Sequence, residues 1–202
     1  MGAIGIFLHK KPPNTRKMVL VMAYNVVILN FSPRKGGNCK QISDFVAERY
    51  NRTNVLQIDI SGEDFAPCGN CNYECLTPGV SCPAVTEKQK EVMDAVCESQ
   101  ITYYIIPNFC GYPCGNYFAY NERSVGYFNM DRALMGRYMA APKKFILVSN
   151  TENDNFLNAV KQQTKEDPQV LYLKTSKYGK RSTAGDLMTS EEAKVDLQAF
   201  LG

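Results

Sequence analysis

Hydrophobic residues in this chain fall in short runs that alternate with amphipathic segments. Residues 25–31 (NVVILNF) form a continuous apolar run rich in β-branched side chains, which is typical of a parallel strand buried on both faces. Residues 38–50 then place apolar side chains at helical spacing, and Asn38 stands where it can cap the first turn. The pattern therefore begins with a buried strand followed by a surface helix.

The same alternation continues to the C-terminus. Further strands are predicted at 55–60, 101–106, 144–150 and 170–173. A further helix is predicted at 154–164. Two capping boxes, Thr86 with Gln89 and Thr189 with Glu192, predict the starts of two more helices. Pro107 is expected to end the third strand, and the aromatic, Gly- and Cys-rich stretch 107–142 predicts a loop with one or two irregular helices. This order favours an α/β fold with a parallel sheet, right-handed crossovers and helices on both faces.

The chain length and charge narrow the class of protein. At 202 residues the chain fits one domain, which we place at 22–202 with a cysteine-rich insertion at 67–83. The net charge of +3 comes from 23 basic and 20 acidic side chains spread along the sequence, so no nucleic-acid partner is expected.

Residues 1–21 are expected to form an extension outside the fold. Their apolar residues precede the first positive charge, which reverses the order of a secretory signal, and we expect a cytoplasmic protein. The apolar stretch 18–31 is interrupted by Asn25 and Asn30 and is shorter than the ~20 residues that span a bilayer, so no membrane association is expected.

The loop after the first strand reads Ser32-Pro33-Arg34-Lys35-Gly36-Gly37-Asn38-Cys39. It lacks the spacing of a Walker loop and of the dinucleotide fingerprint. It nevertheless offers hydroxyl, guanidinium and amide donors beside the N–H groups of a helix start. These groups suit a single phosphate monoester such as the end of a flavin mononucleotide, and the alternative is a plain strand-to-helix connection.

The loop after the third strand reads Pro107-Asn108-Phe109-Cys110-Gly111-Tyr112. Backbone amides here can bind the pyrimidine edge of a flavin, although the aromatic side chains are also consistent with loop packing. A third loop, 149–151, is a weaker candidate for the ring. Cys110 and Cys114 allow either a redox dithiol or two small buried residues.

Four cysteines, Cys68, Cys71, Cys75 and Cys82, lie within fifteen residues, and Pro83 follows the last of them. A thiol set this compact, without a nearby histidine, favours an iron–sulfur cluster. Zinc and free or disulfide-bonded thiols remain alternatives. The only histidine is His9, so a Cys-His or Ser-His-Asp hydrolase mechanism has no base, and no catalytic side chain is assigned.

Taken together, three segments resemble the NAD(P)H-dependent FMN reductase superfamily of flavodoxin-like proteins. They are Ser-Pro-Arg-Lys-Gly-Gly-Asn after the first strand, Pro-Cys-x-x-Cys-x-x-x-Cys-x6-Cys after the second, and Pro-Asn-Phe-x-Gly after the third. Within that superfamily the sequence is most similar to the iron–sulfur flavoproteins. The resemblance implies a doubly wound five-stranded parallel sheet of order 2-1-3-4-5, bound FMN and a homodimer or homotetramer. It also implies a 4Fe-4S cluster, commonly close to the flavin of a neighbouring subunit.

The resemblance also implies roles for particular residues. The phosphate would be bound by Ser32, Arg34, Gly37, Asn38 and Cys39, the isoalloxazine by Pro107, Asn108, Phe109, Cys110 and Gly111, and the cluster by Cys68, Cys71, Cys75 and Cys82.

The function expected from the sequence is an FMN-dependent oxidoreductase. It would pass electrons between a small-molecule or protein donor, with NAD(P)H as one candidate, the flavin and the cluster. Two alternatives are a cluster-free NAD(P)H-dependent FMN or quinone reductase and a non-catalytic zinc-binding module.

Overall fold

The structure, a computed structural model, describes residues 24–62, 65, 67–69, 71–151 and 153–202. The expected extension at 1–21, with His9 in it, lies outside the described residues. The strands are β1 (Val26–Asn30), β2 (Val55–Asp59), β3 (Ile101–Phe109), β4 (Tyr112–Pro113), β5 (Lys143–Ser149) and β6 (Gln169–Lys174). The helices are α1 (Asn38–Glu48), α2 (Glu87–Glu98), α3 (Gly115–Phe128), α4 (Arg132–Ala140), α5 (Asp154–Lys161) and α6 (Glu191–Leu201).

Five of the strands form a parallel sheet in the order β2-β1-β3-β5-β6. Val26 in β1 pairs with Val55 in β2 on one side and with Ile101 in β3 on the other. The short strand β4 only extends the end of β3 as an antiparallel hairpin. When β4 is left out and the other five strands are numbered in chain order, the sheet has the predicted order 2-1-3-4-5. The predicted α/β sheet is therefore confirmed.

Both faces of the sheet are covered, which explains why β1 is apolar at nearly every position. Val27 and Leu29 belong to the core on one face, under α2, α3, α4 and α5, whereas Val26 and Ile28 belong to the core on the other face, under α1 and α6. Successive side chains of a strand point to opposite faces, so a strand buried on both sides needs a continuous apolar run.

The prediction that Pro107 ends the third strand is wrong. β3 continues to Phe109, and Pro107 pairs with Val148 of β5. The N–H of Ile101 donates to the carbonyl of Asn25, and the carbonyl of Ile105 accepts from the N–H of Phe31, so both residues direct their backbone groups towards β1. Every second residue of a strand faces the same way, so Pro107 also directs its nitrogen towards β1. β1 has already ended at Asn30, so the missing proline N–H removes no bond of the ladder.

Two of the predicted helix caps are also wrong. Gly37 is the N-cap of α1 and Asn38 is its first helical residue, because the Asn38 side chain is engaged elsewhere, as described below. Ser190 caps α6 by accepting a hydrogen bond from the N–H of Ala193, where Thr189 had been expected to act. The capping box of Thr86 and Gln89 at α2 is confirmed.

The stretch 107–142 is more regular than its composition predicts. It contains the hairpin of β3 and β4 and then two regular helices, α3 of 14 residues and α4 of nine. Among the described residues, no helix is long and apolar enough to cross a bilayer.

Lys143 is a buried lysine at the start of β5. Its ammonium donates hydrogen bonds to the carbonyl groups of Tyr138 and Ala141, at the C-terminal end of α4. These terminal carbonyls lack helical partners, and the negative end of the helix dipole favours a cation there. Burial nevertheless lowers the pKa of Lys143 from 10.5 to about 8.

We expect the stability difference between the wild type and a Lys143→Met variant to depend on pH. Between pH 8 and 10.5 the unfolded chain holds the Lys143 proton that the folded chain has lost, so the Lys143 contribution to the free energy of unfolding rises with pH. Urea unfolding of both proteins measures this difference. From pH 7 to pH 11, the free energy of unfolding of the wild type should rise by about 3 kcal/mol relative to that of the variant. The variant Lys165→Met controls for loss of an exposed lysine, and a difference that stays constant from pH 7 to 11 would contradict the assignment.

Candidate functional site

The loops that follow β1, β3 and β5 meet at the carboxyl edge of the sheet, where parallel α/β sheets bind ligands. The loop after β1 is a tight turn. The N–H of Ser32 donates to the side chain of Asn30 at 3.0 Å, the N–H of Arg34 donates to the Ser32 hydroxyl at 3.3 Å, and the N–H of Gly37 donates to the Arg34 carbonyl at 3.2 Å. This turn leads directly into the first turn of α1.

The start of α1 has the properties of an anion site. The N–H groups of Asn38 and Cys39 donate to no carbonyl within the described part of the chain. A Cβ on Gly37 would lie 3.1 Å from the Cβ of Arg34 and 3.7 Å from its Nε, so the Arg34 side chain lies against the helix start. Unpaired N–H groups, the helix dipole and a guanidinium together favour a bound anion.

The side chain of Asn38 is committed to the C-terminal part of the chain. It is buried, its Nδ2 donates to the carbonyl of Ser182 at 3.1 Å, and its Oδ1 accepts from the N–H of Leu187 at 3.0 Å. The side chain of Asn38 is therefore engaged within the chain, and the backbone N–H is the group that Asn38 offers to a ligand. Gln41, which the sequence did not single out, adds to the same contact by donating to the carbonyl groups of Gly36 and Gly185.

Cys39 is buried in the core between α1 and the sheet. Burial is the main reason that its pKa rises to about 12, the Cys114 thiol adds to the rise, and the charge of Arg34 opposes it. Cys39 is thus a neutral core residue, and its contribution to an anion site is also its backbone N–H.

The loop after β3 is the turn of a β-hairpin. Phe109 pairs with Tyr112 across it, and Cys110 and Gly111 at its tip both have positive φ, 51° and 88°. Positive φ at both central residues is the pattern of a type I′ turn. The aromatic pair is not loop packing, because Phe109 is 61% exposed and Tyr112 is 51% exposed.

The hairpin tip is tied to the loop after β5 by a hydrogen-bond network centred on Thr151. Its Oγ1 accepts from the Asn108 Nδ2 at 2.9 Å and from the Gly111 N–H at 3.3 Å, and lies 2.9 Å from the Ser149 hydroxyl. Tyr172 also donates to the Thr151 carbonyl. The two loops expected to lie near a flavin ring are therefore held together, and Thr151 holds them.

A second junction links the hairpin to the loop after β1. The carbonyl of Phe31 accepts hydrogen bonds from Cys114 Sγ at 3.4 Å and from Asn116 Nδ2 at 3.0 Å. Cys114 is buried while Cys110 is exposed, so only Cys114 fits the expectation of a small buried residue. Within the described residues all the cysteines are free.

The four cysteines of the 67–83 segment differ in their exposure. Cys75 is buried, Cys71 and Cys82 are half-buried, and Cys68 is exposed. Burial raises the pKa of Cys75, and the nearby thiols of Cys82, Cys71 and Cys68 raise it further. The donor set is chemically suited to a thiophilic metal. Among the described residues, however, no three metal-ligating side chains lie close enough together to hold one ion, so binding would require the segment to contract.

Comparison with known proteins identifies the fold. The sequence matches no protein-family model and no curated protein sequence. The structure is similar to the Smu.1420 protein of Streptococcus mutans UA159, with a TM-score of 0.60 at 13% identity over 87% of this chain and 98% of the other. It is also similar to the Trp repressor binding protein of Bacillus subtilis, with a TM-score of 0.56 at 10% identity over 87% of this chain and 96% of the other. The fold is flavodoxin-like. In a flavodoxin-like fold the switch point lies between the first and third strands, which places the loops after β1 and β3 on either side of a ligand crevice.

We expect a Thr151→Val variant to loosen the hairpin tip. The substitution keeps the shape of the side chain and removes the oxygen to which Gly111 and Asn108 donate, so the free energy of unfolding should fall by about 1–2 kcal/mol. Amide hydrogen exchange should show faster exchange at Gly111. The control is Thr183→Val, at an exposed threonine outside the network. Equal protection of the Gly111 amide in wild type and Thr151→Val would refute the role given to this side chain.

Proposed function

We propose that the chain is an FMN-dependent oxidoreductase. The observation that carries the proposal is the position of the anion site at the start of α1. It lies at the same carboxyl edge as the exposed aromatic hairpin of β3 and β4. A flavin mononucleotide has the matching layout, with a dianionic phosphate at one end and a planar ring at the other.

At the phosphate end, the backbone N–H groups of Asn38 and Cys39 and the guanidinium of Arg34 supply the donors. The Ser32 hydroxyl accepts from the Arg34 N–H, so its own proton remains available for a phosphate oxygen. The C-terminal contacts of Asn38 and Gln41 hold this loop in place before a ligand arrives. Preorganised donors lower the ordering cost of binding.

At the ring end, the backbone at the tip of the β3–β4 hairpin, apart from the Gly111 N–H that donates to Thr151, provides a polar edge, and the side chains of Phe109 and Tyr112 provide an apolar surface. Bound FMN would supply the redox chemistry, accepting a hydride or two electrons and releasing them singly. The residues of the chain orient the ring, keep water from one side of it and donate hydrogen bonds to its edge. The proposal assigns no side chain as a general acid or base.

The reductant in this proposal is a small molecule or a protein, with NAD(P)H as the first candidate, and the working form is a homodimer or homotetramer. We further propose that Cys68, Cys71, Cys75 and Cys82 hold a 4Fe-4S cluster, which would supply a one-electron acceptor or donor. The presence of four thiols within fifteen residues of the sequence supports this part of the proposal.

We expect Arg34→Ala to weaken FMN binding. The substitution removes a charge-assisted hydrogen bond to the phosphate, which is worth about 1.5–3 kcal/mol and corresponds to roughly 10–150-fold in Kd. Quenching of flavin fluorescence during titration of the apoprotein measures the change. Arg49→Ala at the other end of α1 is the matched control and should bind FMN like the wild type. Unchanged affinity in Arg34→Ala would show that the anion site is misassigned, and failure of the wild type to bind FMN would remove the proposed function.

We expect protein purified without oxygen to contain iron and acid-labile sulfide. Cys75→Ser should lower both, because a thiolate ligand is lost from the centre of the cysteine segment. Cys97→Ser, which changes a cysteine outside the segment, should retain them. A yellow protein without metal would support the cluster-free reductase, whereas zinc in a colourless protein would support the zinc-binding module.

A further inference from the structure

A cleft of about 330 Å³ lies at the amino edge of the sheet, opposite the edge that carries the candidate flavin site. Ile101, Lys143 and Gln169 line it, and each of them is the first residue of its strand, β3, β5 or β6. The other walls are the end of α4 with the residues after it, 139–142, and the loop 164–168. β5 has seven residues, which separates the two edges of the sheet by about 20 Å. The cleft is therefore distinct from the site described above.

Lys143 is the buried ionisable residue of this cleft. The residue is 7% exposed, and among the described residues no carboxylate forms an ion pair with it. Its Nζ donates instead to the carbonyl groups of Tyr138 and Ala141, the second at 3.1 Å, and lies 4.4 Å from the centre of the Tyr138 ring. Burial without an acidic partner favours the neutral form of a lysine.

The two carbonyl acceptors match the two N–H bonds of a neutral amine. Donation to both of them leaves the nitrogen lone pair without a proton. With the pKa of Lys143 lowered to about 8, about a quarter of its amine is neutral at pH 7.5, against about one in a thousand for a lysine at 10.5. A neutral amine that lines a cleft can act as a nucleophile towards carbonyl compounds.

We infer that Lys143 is a covalent binding site for a small aldehyde that enters the cleft at the amino edge of the sheet. The nitrogen lone pair forms a bond to the aldehyde carbon, and the carbonyl oxygen leaves as water with the two amine hydrogens. The product is an imine, and the step consumes no oxidant, reductant or cofactor. The volume of the cleft is at the lower end of the range for ligand pockets, which suits a compact aldehyde.

The surroundings of the Nζ atom favour an imine over the other products that an amine forms. A protonated imine keeps one N–H and a positive charge, so it still donates to a carbonyl at the end of α4, where the helix dipole favours a cation. The ring of Tyr138 also attracts a cation at this distance. An amide would lose the charge, and a carbamate would place a negative charge at the negative end of the helix. The site therefore selects aldehydes over acylating agents and carbon dioxide.

A purely structural role for Lys143, as a cap for the carbonyl groups of α4, would not depend on access through the cleft. Ala140 is an exposed residue of α4 that lines the cleft, so a phenylalanine there would narrow it. Ala133 is exposed on the same helix and is not one of the lining residues. Ala140→Phe and Ala133→Phe therefore form a matched pair that differs in access to Lys143.

The test uses propanal as the probe, added to the full-length protein at pH 7.5 with sodium cyanoborohydride, which reduces an imine to a stable amine. Peptide mass analysis then gives the labelling rate of each lysine. In the wild type, Lys143 should be labelled at least about tenfold faster than the exposed Lys174. Ala140→Phe should slow the labelling of Lys143 about tenfold, whereas Ala133→Phe should stay within about twofold of the wild type.

Two results would overturn the inference. One is labelling of Lys143 in the wild type no faster than that of Lys174. The other is the same Lys143 rate in Ala140→Phe as in the wild type, because the aldehyde would then not reach the amine through the cleft. If Ala140→Phe does not fold, the ratio of the two lysine rates in the wild type decides by itself. Addition of FMN should leave the Lys143 rate unchanged, so the outcome is independent of the proposed function.

Discussion

The carbonyl of Phe31 is the point on which the candidate site depends. It follows β1 directly, it begins the loop that leads to the anion site, and it accepts hydrogen bonds from Cys114 and Asn116 at the start of α3. Phe31 is fully buried, so loss of these bonds would leave an unpaired carbonyl away from water at a cost of about 1–3 kcal/mol. One backbone group thus sets the position of α3 relative to the loop after β1.

Because α3 is one continuous helix of 14 residues, this anchor also relates the loop after β1 to the cysteine segment. Gly115 begins the helix beside Phe31, and Gly126 contacts Cys82, which corresponds to about 16 Å along the axis. The resemblance found in the sequence implied that a cluster lies close to the flavin of a neighbouring subunit. Within one chain, the helix already fixes the spacing between the proposed flavin loops and the cysteines, independently of any assembly.

Most of the fold could be predicted from the sequence because its signals are local. The buried run at 25–31 and the capping box at Thr86 each reflect a short-range rule, and the structure confirms both. The prediction that Asn38 caps α1 was wrong because the contacts of its side chain are not local. Its partners are 144 and 149 residues away, and no local pattern shows that they compete for its side chain. Pro107 failed because the cost of a proline in a strand depends on whether a neighbouring strand is still present beside it.

The candidate site was predictable in its residue types and less so in its contacts. The loop after β1 could be recognised from its donors. At the hairpin tip only Gly111 is a residue type that favours positive φ, so the sequence carried a weaker signal for this turn. Thr151 carried no such signal, since its role comes from the hairpin that folds back onto it.

Gly126 and Gly136 show what a sequence pattern cannot distinguish. Each is a glycine inside a helical segment, and a sequence pattern assigns both the same unfavourable helix propensity. Their environments differ because Cys82 lies against only one of them. A glycine lowers the stability of its own helix, and this loss is offset when a second segment packs into the space that a side chain would fill. The reason for such a residue therefore lies in the segment that packs against it, here the one that carries the four cysteines.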